Sequence, residues 1–559
     1  MGIWLNDITR DVSKILTLNL KIDNLDGNLC ELEEKQMDNY FDSVQNVIAM
    51  SLYMACVIGI GLYYAKRANS SSDEYFLGGR SLGPFVTAMS AEASDMSGWL
   101  LMGLPGVAYW TGMSEAIWIA LGLATGTYLN WLITAKRLRV YSHVAGDAIT
   151  LPDFFSNRFK ENKKVIMTIS SLFILIFFTV YASSCFVTVG KLFSALFNTS
   201  YVSMMIIGAV FVLAYTFIGG FLAESASDLM QAIVMIIALV TVLSLGLVHA
   251  GGIHEVVENA KRIPGFFEFF GIATPVLDES GKQLVENGLP LFGDRANYHW
   301  LSAASNMAWG LGYFGVPQVL IRFMAIDDPK NLKVARQSAT IWCVISLIAA
   351  VAIGMIGRVL FPTALLTKFE SENIFVIMAQ GLMSPFIAGL VMAGILAATI
   401  SSADSYLLIA ASAVSKNLYQ GILKQNATDE QVMKLSRWTL IGITLFGIFL
   451  ALDEQSIIFS IVSFAWAGFG ATFGPLILFS LFSKNVTHQG AVAGMVTGAL
   501  TVFIWNIFIK PFGGLFAIYE LLPAFIVSSL VIYLVSRLTP QRTDVLKQHE
   551  QYLKEYNAL

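Results

Sequence analysis

Charge is scarce in this sequence. Asp, Glu, Lys and Arg together make up 13% of its 559 residues, and their formal sum is only −4. So small a net charge lacks the basic excess of a nucleic-acid-binding surface, and no such partner is expected. Cysteine is also sparse: Cys30, Cys56, Cys185 and Cys343 are all there are, and the last three lie in apolar runs. Neither a disulfide framework nor a CxxC metal pattern is present. There is no GxxxxGK(S/T) phosphate loop, and no stretch outside the apolar runs is large enough for an ATPase or signalling domain. No nucleophile–base or metal-ligand spacing stands out, so an enzyme is not expected, nor is an obligatory protein partner evident. The N-terminus lacks the charged start, short apolar run and small-residue cleavage site of a secretory signal. Residues 1–36 read as a mildly acidic, solvated tail, with Met37 as a second candidate start.

What the sequence has in excess is apolar surface. Hydrophobic residues reach 56%, mean hydropathy is +0.65, and there are 39 Phe, 21 Met and 45 Gly, a composition that belongs to membrane helices rather than soluble domains. Windows of about 20 apolar residues, the length of one crossing, give thirteen candidate spans. They fall near 43–65, 82–107, 113–134, 163–193, 201–219, 223–249, 299–319, 337–361, 374–415, 436–451, 456–482, 488–508 and 514–536. The ninth is too long for one crossing and is expected to continue as a cytoplasmic helix.

Lys and Arg cluster in alternate loops: Lys66, Arg67 and Arg80; Lys136 to Lys164; Arg322 to Arg336; Lys416 to Arg437; Lys484; and the tail from Arg537. The opposite short loops hold little beyond Lys368 and Lys510. The positive-inside bias then puts the N-terminus outside and the C-terminus in the cytoplasm of a multi-pass plasma-membrane protein. The expected organisation is an extracellular tail (1–42), a transmembrane domain (43–536) and a cytoplasmic tail (537–559), with the loop near 250–298 as a small extracellular cap.

Polar residues at bilayer depth are costly and need a reason. The second span holds Ser90, Glu92, Ser94, Asp95, Ser97 and Gly98 within ten residues, and the seventh holds Gly310, Gly312, Gly315 and Pro317. Gly and Pro there release backbone carbonyls from the helix ladder, which is tolerated only where the freed groups line a cavity or bind a ligand. The two breaks lie five spans apart, at the start of two five-helix blocks (about 82–249 and 299–482). That spacing points to an inverted-repeat transporter with its site between the repeats. In the ninth span Thr399, Ser401, Ser402, Asp404 and Ser405 crowd together; such oxygens suit a hard cation such as Na⁺, although single serines in membrane helices also bond their own i−4 carbonyl.

Residues Tyr75 to Pro84 (YFLGGRSLGP), Ala93 to Gly106 (ASDMSGWLLMGLPG), Tyr215 to Phe221, Trp309 to Gly315 and Arg322 to Ala325 resemble the sodium/solute symporter family. Within it they look like the bacterial sodium/proline symporters, over about residues 40–540. The resemblance implies an all-α LeuT-type fold, a 5+5 inverted repeat with one leading and two trailing helices, and sodium-coupled import of proline by alternating access. Another amino acid, pantothenate or a short organic acid is the alternative cargo. By position it implies sodium ligands in the carbonyls of Ala93, Met96 and Ala398 and the hydroxyls of Ser401 and Ser402. Asp95 is then a coupling residue, or a carboxylate capping the break. The substrate pocket would comprise Trp99, Tyr181, Trp309, Tyr313 and Pro317. Asp228, Ser401, Asp404 and Ser405 form a candidate second cation site, with Asp228 packed against a hydroxyl as the alternative. Arg80 is a gate residue or a positive-inside anchor. The likeness departs at Gln318, where histidine is expected of proline carriers, and Glu92 and Glu224 are carboxylates the motif does not require.

Overall fold

A lipid environment offers the backbone no water, and a helix satisfies its own N–H and C=O groups. The computed structural model is accordingly a helical bundle, described over residues 27–68, 71–197 and 199–559. Most of the expected N-terminal tail lies outside the described residues, and from Gly27 the chain is already helical. The helices used below are α1 (Gly27–Ala68), α2 (Pro84–Asp95), α3 (Leu104–Thr111), α4 (Met113–Leu129), α5 (Ala135–Val144), α6 (Leu151–Arg158), α7 (Val165–Phe197) and α8 (Tyr201–His249). There follow α9 (Ile253–Lys261), α10 (Trp300–Met307), α11 (Trp309–Gly312), α12 (Pro317–Ala325), α13 (Leu332–Leu360), α14 (Ile374–Leu382) and α15 (Pro385–Ser412). The chain ends with α16 (Asp429–Leu450), α17 (Ile458–Phe482), α18 (His488–Ile504), α19 (Leu521–Leu538) and α20 (Thr543–Ala558).

Ten helical segments among the described residues are long and apolar enough to cross a membrane, and the chain is a multi-pass membrane protein. The expected thirteen spans are reached only by adding the shorter Tyr201–Phe217 and two interrupted segments, 84–111 and 300–325. Two further differences have local causes. The fifth and sixth spans follow each other without a loop: α8 is two helices joined by a kink at Gly220, whose φ of 61° suits glycine. The over-long ninth span divides at Met383 and Ser384, because Pro385 has no N–H to continue α14 and instead opens α15. Beyond Ser412 the chain does continue helically, as a π-helical stretch to Leu423.

Helices in lipid pack where small residues let backbones approach. Gly490, Gly494 and Gly498 line one face of α18, where added Cβ atoms would meet Ser536, Ile532 and the Ala471 carbonyl. Gly389 and Gly394 do the same for α15 against α1 and α8, at Asn46 and Ala238. Large apolar side chains such as Ile207, Val210, Ile348, Phe449 and Leu534 face outward instead. The 250–298 loop forms a small module of α9 and two antiparallel pairs, Gly271–Ile272 with Ala296–Asn297 and Val285–Glu286 with Leu289–Pro290. It is tied down by Arg358, which bonds Gln283 and lies over the rings of Tyr109 and Phe292.

At the end of the bundle where the basic loops gather, α20 docks on α5. Tyr552 stacks on Tyr141 at 4.1 Å, and Arg137 donates to the Tyr552 hydroxyl at 3.0 Å. His549 packs edge-on against both rings. Burial, then the nearby Arg158, Arg137 and Lys484, bring its pKa down from 6.5 to about 4. A base with a lowered value favours the docked state only while neutral, so docking is complete above pH 6.5 and weakens as pH falls from there toward 4. A spin label at the exposed position 554 is expected to gain mobility between pH 7 and pH 5, and His549→Phe should remove that dependence. Equal mobility at both pH values in the unaltered helix refutes this.

Candidate functional site

The first interruption follows from its residues. Pro84 opens α2, and the helix stops at Asp95 because Met96 turns out of helical geometry (φ −85°, ψ 73°). Gly98 is required next: a Cβ there would stand 2.4 Å from Thr188 Cγ2 on α7. The chain resumes as a π-turn, Trp99–Gly103, before α3. Residues 87 to 106 are buried throughout. The second interruption spans Tyr313 to Val316, between α11 and α12. Here Gly315 lets α17 pass, since a Cβ would lie 2.4 Å from the Phe469 carbonyl.

The breaks are bonded to each other. The Tyr313 hydroxyl donates to Asp95 Oδ2 at 2.6 Å, and Asn130 Nδ2 donates to the Tyr313 carbonyl at 2.9 Å. Asp95 Oδ1 has no hydrogen-bond partner among the described residues. Aromatic rings collect around this joint. Trp99 lies 5.9 Å from Trp309, which stacks on Phe459 (5.3 Å), Tyr519 (5.1 Å) and Trp466 (6.1 Å). Trp466 also donates to the Trp309 carbonyl at 2.8 Å and meets Tyr313 edge-on at 5.1 Å. Tyr181 stacks on Tyr406 of α15 at 4.2 Å.

On the other side of the first break, α15 presents its hydroxyls. Ser401 donates to the Ala93 carbonyl at 2.8 Å and lies 2.8 and 3.2 Å from the carbonyls of Ala397 and Ala398. Ser402 donates to the same Ala93 carbonyl at 3.2 Å. Four of the five expected ligand residues, Ala93, Ala398, Ser401 and Ser402, therefore stand together. Met96 is at the break itself, its N–H held by the Glu92 carbonyl at 2.8 Å.

A neighbouring cluster corrects the loop reading of Arg322. It is not an anchor at the membrane surface but a fully buried residue of α12, 0% exposed. Its guanidinium pairs with Glu224 and with Asp228 (3.3 Å). It also donates to Ser405 (2.8 Å), Ser90 (3.0 Å) and the Gln318 carbonyl (3.1 Å). Ser90 in turn donates to Asp228 at 2.7 Å and Ser405 to Glu224. Asp404 accepts from the Ser405 N–H at 2.7 Å, and its Oδ2 has no hydrogen-bond partner among the described residues. Glu224, unassigned by the sequence, is thus the direct partner of a buried cation, and Asp228, Asp404 and Ser405 share that neighbourhood. The available signal was the context of Arg322: apolar residues on both sides, one turn after a proline-capped break.

At the basic end Arg80, with φ at 55°, ties four segments together. It donates to the carbonyls of Met324 (2.6 Å) and Ala148 (2.7 Å) and to Ser142 (3.3 Å), and pairs with Asp147 at 2.9 Å. Burial opposes the Asp147 charge, but His143 and Arg80 hold its carboxyl below the usual range. Leu82 and Asp327 join the two repeats beside it through backbone bonds of 3.2 and 3.0 Å. Pro317, which opens α12, borders a cleft too narrow for water, with Leu151, Ile174, Ile321 and Ile409. At the opposite end a cleft of about 230 Å³ descends between Trp110, Glu115, Lys368 and Lys510 to Phe459.

The arrangement has known counterparts. A model of the Sodium:solute symporter family matches residues 75–498. Sodium/proline symporters from two Staphylococcus aureus strains, bovine RF122 / ET3-1 and USA300 / TCH1516, are each 40% identical over 501 residues, 89% of this chain and 93% of theirs. Among solved structures, a substrate-bound, outward-open Na⁺-coupled sialic acid symporter aligns with a TM-score of 0.71 at 18% identity. That alignment covers 89% of this chain and 98% of the other, a likeness of fold.

Proposed function

Because the chain belongs to the sodium:solute symporter family, we propose that it imports proline with sodium by alternating access across the plasma membrane. Sodium-coupled solute symport by a LeuT-type fold is the family's activity; proline as the cargo, the ligand set and the orientation are our reading. The observation that carries it is the meeting of the Ala93 carbonyl with the Ser401 and Ser402 hydroxyls, one turn from the Asp95–Tyr313 bond. A sodium ion held by the carbonyls of Ala93, Met96 and Ala398 and those two hydroxyls would fasten the unwound part of α2 to α15. Asp95, on the same unwound turn, transmits that to Tyr313 and so to the substrate cage of Trp99, Tyr181, Trp309 and Tyr313. A small apolar ring would stack on such faces once they part, and its charged ends would find backbone groups at the breaks. Pro317 closes the floor of this path.

In this reading the Arg80 end is cytoplasmic and sealed, with the C-terminus on that side and the N-terminus outside; the cleft above Phe459 is the extracellular approach. Residues 43–536 carry transport, with the repeats at 82–249 and 299–482. Membrane potential contributes about 2.3 kcal/mol per charge per 100 mV. Proteoliposomes should accumulate radiolabelled proline only under an inward sodium gradient. Accumulation of pantothenate or a short organic acid in its place would transfer the reading to that cargo, and gradient-independent flux would end it.

A second cation at Asp228, Ser401, Asp404 and Ser405 would share oxygens with Arg322. Glu224, Asp228 and Asp404 face that one guanidinium, so the charge balance favours one further cation there. A sodium Hill coefficient above one that falls to one in Asp404→Ala is the expected result; a coefficient of one in both refutes the second site.

A further inference from the structure

At the foot of the cleft lies a buried ion pair to which neither the ion nor the cargo gives a role. Glu372 sits in the short turn Glu370–Asn373 ahead of α14, and Lys191 at the far end of α7; they are 2% and 6% exposed. Lys191 Nζ stands 2.7 Å from Glu372 Oε2 and 3.3 Å from the Phe369 carbonyl. The same carboxylate accepts the first two N–H groups of α17: Ile458 on Oε2 and Phe459 on Oε1, both at 2.9 Å. Glu372 thus supplies both the acceptors and the negative charge that the start of α17 needs. With three donors on two oxygens, two from a rigid helix end, it leaves that end little freedom to shift.

What the pair holds is Phe459, whose ring stacks on Trp309 at 5.3 Å while its other side borders the cleft. The second half of the broken helix lies against both. A Cβ on Gly103 would be 3.3 Å from Phe459 Cβ, and one on Gly106 2.9 Å from Glu372 Cα. Movement of α3 toward α17 would therefore press on the Glu372 turn and on Phe459 together.

We propose that Lys191 and Glu372 are an outer latch: positioning residues that hold Phe459 as a lid between the cleft and the aromatic cage and transmit the position of α3 to it. Glu372 fixes the start of α17, Lys191 holds Glu372, and Phe459 shuts water and the exit path out from above Trp309. The inference rests on the symport reading given above, and it adds two residues that touch neither ion nor cargo.

The test uses the full-length chain in proteoliposomes, with Cys30→Ser, Cys56→Ser and a reporter thiol at Ser463→Cys on the cleft wall. Sodium, and sodium with proline, should slow labelling by an impermeant maleimide in this background. Lys191→Met and Glu372→Gln should remove that protection and raise the proline KM roughly tenfold, the size of one charge-assisted hydrogen bond, with Vmax little changed. Lys191→Arg should restore both. The neutral double variant Lys191→Met/Glu372→Gln leaves no unpaired buried charge and so keeps the test readable if a single variant folds poorly. Phe459→Ala should equal the latch variants, and combining it with Lys191→Met should add nothing. Unchanged protection and KM in the latch variants, or additive effects with Phe459→Ala, overturn the latch. If proline never protects while sodium does, the cargo reading fails and the sodium arm alone decides the latch.

Discussion

Arg322→Met is expected to leave almost no folded protein, although the residue contacts neither the proposed ion nor the proposed cargo. The guanidinium is fully buried, and Glu224, Asp228, Ser90 and Ser405 all bond to it. Removing one partner of a buried pair costs about 3–5 kcal/mol, because the remaining charge has lost its counter-ion without regaining water, and that is a large share of a typical folding free energy. Glu224→Gln should cost much less, since Asp228 still faces the cation. Arg322→Lys should fall between: an ammonium carries the charge but lacks the fork that reaches two carboxylates and two hydroxyls at once. Arg322→Met/Glu224→Gln/Asp228→Asn should recover folding without recovering transport, as replacing a whole buried ion cluster with neutral groups is often tolerated. Size-exclusion profiles and melting midpoints in detergent measure this. A single Arg322→Met with an unaltered midpoint would show that the cluster does not support the fold.

Ser401→Ala/Ser402→Ala should behave in the opposite way, folding normally while losing sodium dependence. Both hydroxyls are neutral, and Ser401 already bonds its own helix's Ala397 carbonyl, a back-bond that contributes little to helix stability. As ligands they are irreplaceable by methyl groups. Losing two, at about 1.4 kcal/mol each, should raise the sodium needed for half-maximal uptake roughly 100-fold. Because coupling is reciprocal, proline affinity measured at fixed sodium must fall as well. Sodium titration of uptake, paired with a melting curve, separates the two effects. An unshifted sodium curve in the double variant would remove the ion from this place.

The contrast between those variants reflects what could be read from the chain. The spans, the two interruptions and the hydroxyl run were legible because each breaks a local rule: apolar length, helix continuity, or the exclusion of polar atoms from lipid. Arg322 was misread because positive-inside counting treats each Lys or Arg near the end of a span as a surface anchor, and local sequence does not distinguish an anchor from a buried partner. Glu224 and Asp228 showed as costly acids, but their counter-ion lies about a hundred positions away in the chain. The division before Pro385 hid inside a run of uniform hydropathy, whereas the kink at Gly220 falls in the expected gap between the fifth and sixth spans.

By itself the sequence determined the medium, the helical class, the places where two helices must open and the chemical kind of ligand that open backbone and hydroxyls can hold, since all of these follow from local composition. Only the tertiary structure decided which carbonyl faces which hydroxyl, that Arg322 belongs to Glu224 and Asp228, that Pro317 borders Leu151 and Ile409, and that Lys191 meets Glu372 over the start of α17. Those pairings join segments far apart in the chain, and contact over such separations is settled by how helices pack, which no local pattern encodes.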